Sequence, residues 1–258
     1  MKDPVTTLAH DFPGRHEIPP HTHPEHQLIY ACRGVMTVRT DRGLWVVPPQ
    51  RAVWIPAKTV HAITIHGAVS MRTLYIKPRL RRLSRNCCVV GVSPLLRELI
   101  LQACAFEALK REVRVQSHLI DMLLDQLEIL EIAPLSLIHP SDPRAARVAD
   151  LLSDDPGDAR PLEAVCELAG ASKRTVERLF QSETKMSIGQ WRQQLRLVRS
   201  LGLLAGGEQV TRVALEMGYS TPSAFIAMFR KALGTTPRQY FAGKGDRTAA
   251  TGMSRSLR

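Results

Sequence analysis

Within its last hundred residues the chain writes one local pattern twice: a short helix with an apolar seam, a glycine turn, then a helix opened by a hydroxyl residue. The first copy runs from Leu162 to Phe180, with Gly170 at the turn and Ser172 ahead of the second helix. The second runs from Val210 to Phe229, with Gly218 at the turn and Ser220 or Thr221 ahead of the helix. Glycine takes the left-handed turn conformation without penalty, and a hydroxyl caps the exposed amides of the helix that follows. Neither unit is long enough to bury its seam alone, so the pair requires one compact all-helical domain. Two helix-turn-helix units on a chain with 35 Lys and Arg against 24 Asp and Glu imply reading of double-stranded DNA.

Leu162, Val165 and Leu168 are expected to form the inward face of the first leading helix, and Val176, Leu179 and Phe180 that of its reading helix. Arg174, Glu177 and Arg178 then fall on the groove side. An arginine takes guanine O6 and N7 together, and a glutamate accepts from cytosine N4, each contact discriminating by ~1–3 kcal/mol. Glu177 and Arg178 have the alternative of pairing with neighbouring helix charges. In the second unit Tyr219, Phe225, Met228, Phe229 and Leu233 are expected in the core. Pro222 stands where its missing N–H costs nothing, and the groove positions are Pro222, Ser223, Ile226 and Ala227. Ser223 and Ile226 are its candidate base contacts. The first unit therefore specifies sequence while the second anchors. Candidate backbone contacts are Ser172, Lys173, Arg192, Arg196, Thr221, Arg230, Lys231 and Arg238. Positive charge gathers here: Lys173 to Arg199 holds seven basic and two acidic residues.

Between the units a continuous helical stretch buries Trp191, Leu195, Val198 and Leu201 and turns Arg192, Arg196 and Arg199 outward. From Ile188 to Ala205 it makes a rod of ~27 Å, a spacer for two reading helices about one DNA turn apart. The segments Ser172-x-Arg174-x-Val-x-Arg178-Leu-Phe180, Met186-Ser-Ile-Gly-Gln-Trp-Arg, Ala214-x-x-Met-Gly-Tyr-Ser-Thr-Pro-Ser-Ala-Phe and Gly234-Thr-Thr-Pro237-x-x-Tyr240 resemble the AraC/XylS family of transcription regulators. The resemblance covers about residues 144–241. It implies tandem reading of adjacent major grooves, with Arg174, Glu177 and Arg178 at base-contact positions. Lys185 stands where that family has a glycine ending the first reading helix.

The expected fold class is α+β in two domains: an N-terminal antiparallel β-barrel, cupin-like, with following helices, and a C-terminal all-α tandem helix-turn-helix domain. Strands are read at Gln27–Tyr30, Val35–Arg39, Leu44–Val47, Ala62–Ile65 and Met71–Ile76, with turns at Arg33-Gly34, Asp41-Arg42-Gly43, Pro48-Pro49 and His66-Gly67. Helices are read at Pro94–Phe106 and Val113–Ile132, the latter with a stripe of Leu119, Met122, Leu123, Leu127 and Leu130 that covers the barrel or pairs with a second copy in a homodimer. Residues 1–85 form the sensing barrel, 86–133 the helical and dimerisation segment, 134–143 a proline-broken linker, 144–241 the DNA-binding domain and 242–258 a disordered basic tail.

His21-Thr-His23 with Gln27 and Gly34, then Pro56 to His61, resembles the two cupin motifs. The resemblance implies a metal or pocket role for His21, His23 and His61, with Gln27 at the carboxylate position and Lys58 at a turn glycine. Three imidazoles are able to hold Zn²⁺, Fe²⁺ or Ni²⁺, completed by an amide, water or Glu25; otherwise they line an effector pocket. That effector pocket is read as His21, His23, Gln27, Trp45 and His61, with Tyr30 and Trp54 as further candidates. His26 and His66 read as surface groups. The five cysteines, an odd count without framework spacing, read as reduced thiols. The start of the chain has no apolar signal stretch and no run spans a bilayer, so the expected compartment is the cytoplasm. The expected function is an effector-controlled transcription regulator with DNA, a small molecule and RNA polymerase as partners and no catalytic residues. The alternative is a metal-dependent cupin enzyme with an appended helical domain.

Overall fold

The computed structural model describes residues 3–49, 51–81, 86–128, 132–133 and 135–242. Ten strands come first in space: β1 (Val5–Phe12), β2 (His16–His21), β3 (His26–Thr40), β4 (Gly43–Val47), β5 (Arg51–Ile55), β6 (His61–Ile76), β7 (Cys88–Gly91), β8 (Ala108–Leu109), β9 (Ile132–Ala133) and β10 (Ser136–Ile138). The helices are α1 (Pro94–Ala103), α2 (Arg114–Glu128), α3 (Pro143–Asp154), α4 (Leu162–Leu168), α5 (Lys173–Thr184), α6 (Ile188–Ala205), α7 (Val210–Glu216), α8 (Pro222–Leu233) and α9 (Pro237–Ala242).

The sheet is built on one long antiparallel ribbon. β3 and β6 pair from His26–Ile76 to Thr40–His61, with register shifts between Ala31 and Val35. Two pairs of expected strands are thus single strands. The glycine signals at Gly34 and Gly67, with φ of 78° and 76°, mark kinks inside them. A straight strand would hold His61 and Tyr75 ~46 Å apart. Instead both rings lie close to His23, at centroid distances of 5.2 and 5.1 Å, because the ribbon folds over on itself. One layer runs β8-β1-β6-β3-β5-β7-β9 through the Tyr75 half; β2, β4 and β10 flank the His61 half. The ladder is open, ending at β8 and β9 among the described residues, so the expected closed barrel is a folded-over sheet.

Alternation sorts the side chains. Ile29, Val38, Val53, Ile55, Ile63 and Ile65 fill the interior of the fold-over. Leu28, Tyr30, Ala52, Trp54 and Leu74 point the other way and meet Leu96 and Ile100 of α1 and Leu119, Leu123 and Leu127 of α2. The α2 stripe therefore covers its own sheet; Met122 is 45% exposed, off the seam, and Leu130 lies outside the described residues. Tyr30 and Trp54, read as pocket groups, belong to this helix-covered core.

The expected linker is largely structured. β10 pairs Ser136, Leu137 and Ile138 with Trp45, Leu44 and Gly43. Trp191 of α6 donates its indole N–H to Ile138 O at 2.7 Å. The outer face of the His61 half, with Thr37, Thr64 and His66, looks toward α6 across a cleft of about 1300 Å³ that Val198, Arg199 and Gly202 line from the helix side. Contrary to the surface reading of His66, its Nε2 lies 2.8 Å from Thr37 Oγ1 and its ring stands against Gly202. His26 is likewise engaged: Ala57 N–H donates to its Nδ1, and its ring lies 5.0 Å from Trp54.

The helical half has two linked cores. α3, α4, α5 and the start of α6 bury Val148, Val165, Val176, Phe180 and Trp191. The rest of α6, with α7 and α8, buries Val198, Leu201, Val213, Phe225 and Phe229 in continuity with the sheet interior. Leu168, expected inward, is 62% exposed because α4 ends beneath it. Arg192 and Arg196, expected to point at solvent, turn inward instead. Arg192 Nη1 donates to Arg160 O. Arg196 donates to Pro156 O at 2.8 Å and Asp158 O at 3.2 Å, and its guanidinium stands over the Tyr219 ring at 5.6 Å. The loop before α4 and the turn before α8 are thereby stapled together. Their backbones meet so closely that a Cβ on Gly218 would lie 2.4 Å from Gly157 O.

Three outcomes follow from this packing. A Cβ at Gly202 already stands 3.1 Å from the His66 ring, so Gly202→Val is expected to cost about 1–3 kcal/mol by overpacking; an unchanged thermal midpoint would mean the ring simply turns aside. Arg196→Ala removes two part-buried, charge-assisted bonds to loop carbonyls and is expected to lose about 1–3 kcal/mol in urea unfolding. If its effect falls instead on the salt dependence of DNA binding with stability intact, the staple is misassigned. Burial, then the charges of Arg15 and Arg199, hold the His66 pKa below its ordinary value. The neutral ring is thus the folded form, and its contribution, complete above ~6.5, is lost as pH falls. The His66→Gln variant should lose less stability than the parent between pH 7 and 5.

Candidate DNA interface and sensor site

The first reading helix is α5. Ser172 caps it by accepting from Thr175 N–H at 3.3 Å, while Val176, Leu179 and Phe180 anchor it. Arg174 and Arg178 project from the opposite face, both exposed and one turn apart. Glu177 is drawn away from that face: its carboxylate accepts from Ile188 N–H at 3.2 Å, at the start of α6. There it satisfies a free amide and complements the positive helix terminus. Lys173 pairs with Glu163 of α4 at 2.6 Å. Of the residues expected on this face, the two arginines remain free for bases. Lys185 ends α5 with φ 62°, the left-handed turn that glycine ordinarily supplies, and Lys58 does the same at φ 64°.

The second reading helix is α8. Thr221, not Ser220, is its cap, accepting from Ala224 N–H at 3.2 Å, and Pro222 occupies the first turn. Ser223 and Ala227 are exposed, whereas Ile226 leans back onto the core as a half-buried side chain. Arg230 and Lys231 lie in the last turn, where they also suit the negative end of the helix, and Arg238 is exposed on α9. The sheet leaves the exposed faces of both reading helices open. Between them α6 spans 18 residues, about 27 Å.

The histidines meet inside the mouth of the folded ribbon. One ring nitrogen from each of His21, His23 and His61 lies within 4.8 Å of the others. β2 and β6 bring His21 opposite His61, and their rings stand 4.3 Å apart. Each ring also has its Nδ1 2.9 Å from a nearby carbonyl, of Pro19, Glu25 and Thr59 respectively. His61 is 1% exposed, and burial brings its pKa down to about 4, so the ring is neutral. Its Nε2 has no partner among the described residues. Gln27, also 1% exposed, places Oε1 2.9 Å from His23 Nε2, and the Tyr75 hydroxyl hydrogen-bonds the same amide. Glu25 joins through its backbone carbonyl.

Trp45, the remaining expected pocket residue, is a core side chain at 1% exposure, with its indole N–H unpartnered. Thr73 Oγ1 is a third unpartnered buried atom, on the same face as Ile29 and Val53 across the ladder. Thr73 and Tyr75 stand out in the sequence only through period-two alternation along the single long strand β6. The cysteines are free thiols, and burial pushes Cys87 and Cys88 upward, which leaves them poor nucleophiles. No helix among the described residues is long and apolar enough to cross a membrane.

Comparison with known proteins places two families on the chain. Residues 5–184 match the family described as the AraC-like ligand binding domain, and residues 165–243 match a helix-turn-helix domain. The chain is 36% identical over 224 residues to the HTH-type transcriptional regulator NimR of Escherichia coli (strain K12), covering 87% of this chain and 82% of that protein. It is 32% identical over 105 residues to the HTH-type transcriptional regulator RipA of Corynebacterium glutamicum, covering 41% of this chain and 32% of that one. Among solved structures, the DNA-binding domain of AdpA in complex with a target DNA is 31% identical, covering 40% of this chain and 92% of that domain, with a TM-score of 0.37. The chain belongs to the AraC family of transcriptional regulators, with an N-terminal ligand-binding domain and a C-terminal helix-turn-helix DNA-binding domain.

Proposed function

We propose that Arg174 and Arg178 carry the sequence preference of this regulator, that α8 anchors the duplex, and that an effector in the histidine pocket shifts the fraction of DNA-competent protein. The carrying observation is the contrast between the two reading helices. Two exposed guanidiniums, unpaired among the described residues, stand one turn apart on α5, while Ser223 and Ala227 offer α8 almost no hydrogen-bond code. Thr221, Arg230, Lys231 and Arg238 contact phosphates, with Ser172 and Lys173 at the start of α5. Lys173 then exchanges Glu163 for phosphate at small cost, since an exposed ion pair is worth little.

Support for the sensing half comes from β6. It places His61 in the pocket and, five residues on, His66 on the opposite face against α6. An effector acts only through different affinity for two arrangements of that contact. The protein works in the cytoplasm as a regulator rather than an enzyme, with RNA polymerase as its downstream partner. A homodimer would form beside the covered face of α2, where Met122 and Val115 remain exposed.

Selection of DNA fragments by the purified chain, with and without candidate effectors, tests the assignment. Arg174→Ala and Arg178→Ala are expected to bind with flattened preference, each losing ~1–3 kcal/mol of discrimination at one position. Arg230→Ala should weaken binding to all fragments alike and lower the slope of log affinity against log salt by about one. Retained preference in both α5 variants would place the reading elsewhere.

A further inference from the structure

We propose that His21, His23 and His61, with the Gln27 side-chain oxygen as a fourth ligand, form a divalent transition-metal site in the ligand-binding domain. The inference deepens the sensing role assigned to this pocket, but it stands on the hydrogen-bond pattern of the pocket itself. Each of the three rings has its Nδ1 2.9 Å from a backbone carbonyl. A carbonyl only accepts, so each Nδ1 carries the proton. Every Nε2 then presents a lone pair. Such outer-sphere carbonyls orient and polarise metal-binding histidines.

Three lone pairs are brought together by β2, the turn after it and β6. His61 Nε2 is buried and has no partner among the described residues. His23 Nε2 lies 2.9 Å from the Gln27 side-chain amide, close enough for ring and amide to share one ion. The Tyr75 hydroxyl, hydrogen-bonded to the same amide, holds it at the pocket floor. Nitrogens around one ion at 2.0–2.1 Å stand about 3.3 Å apart in a tetrahedral shell. The present spread of up to 4.8 Å closes with small side-chain rotations. His21 and His23 are half-buried, so an ion enters from the rim while His61 and Gln27 lie at the floor.

The donor set selects among metals. Three neutral imidazoles and an amide suit Zn²⁺, Co²⁺, Ni²⁺ or Fe²⁺ and are poor for Ca²⁺ or Mg²⁺, which take oxygen shells. An amide in place of a carboxylate leaves the bound ion with its full double charge. A site of that kind favours an anionic or strongly Lewis-basic effector at any open position.

The test uses the untagged full-length chain, stripped with chelator and titrated with Co²⁺, whose visible absorption reports nitrogen and oxygen coordination. One Co²⁺ per chain is expected, displaced by Zn²⁺ and indifferent to millimolar Mg²⁺. His61→Ala and His21→Ala should each weaken binding by 10- to 100-fold or more. Gln27→Glu, which supplies the carboxylate, should tighten it at least tenfold. His139→Ala, outside the three-histidine cluster and paired with Asp150, should leave it unchanged. Circular dichroism checks that each variant is folded; should His61→Ala fail to fold, His21→Ala and Gln27→Glu still decide. Absence of a saturable one-to-one site, or equal Co²⁺ binding by the parent and folded His21→Ala, overturns the proposal. Selective DNA binding would survive that result.

Discussion

The position of α6 is the constraint on which the rest of the molecule depends. One rod supplies Trp191 and Leu195 to the core of the first head, then Val198 and Leu201 to the core shared by the second head and the sheet. A helix buried on two sides has little surface left for solvent, which is why Arg192 and Arg196 are used internally. Arg196 reaches two loop carbonyls and the Tyr219 ring. The heads are therefore held by a packed, cross-braced element, and their separation is set by helical rise rather than by linker statistics. Close packing makes such an element hard to deform gradually. It moves as a body or stays.

That rigidity gives the sheet something to act upon. The long ribbon of β3 and β6 folds over so that one face makes the pocket and the other, in the same strand, faces the rod. His66 lies five positions after His61, an odd step, and period-two alternation sends them to opposite faces. β10 adds a second tie, since its strand pairs with β4 while Ile138 O receives the Trp191 indole. A cleft lined by both halves lies beside these contacts.

The helical half was legible because its signals are local. Gly170, Gly218, Ser172 and the apolar periods each act within a few residues, and the structure has them in the expected roles. Lys185 and Lys58 adopt the positive φ that the position demands whatever residue fills it. Signals that depend on distant partners were misread. Glycines at 34 and 67 looked like turns because nothing nearby indicates that the strand resumes in register. β1 was missed because its polar residues, Thr6, Thr7, His10 and Asp11, hide a two-sided role between β8 and β6. Periodicity correctly put Arg196 off the main seam of α6, yet it is silent about a loop arriving from forty residues upstream.

The same distinction explains Glu177, and with it the character of the first reading head. Helical spacing groups Glu177 with Arg174 and Arg178, but only the tertiary fold brings the start of α6 within its reach. An acid at a helix N-terminus gains both a hydrogen bond and a favourable dipole, whereas on a DNA surface it would meet phosphate repulsion unless it found a cytosine amine. Its withdrawal leaves the reading face of α5 uniformly cationic and ties the direction of α5 to the rod it precedes. The two arginines are thus aimed by the same element that fixes α8. On the proposed assignment, a duplex that satisfies both would present guanine edges at one spacing from the point where α8 rests on the backbone. Recognition by this head is in that sense a property of α6 as much as of α5.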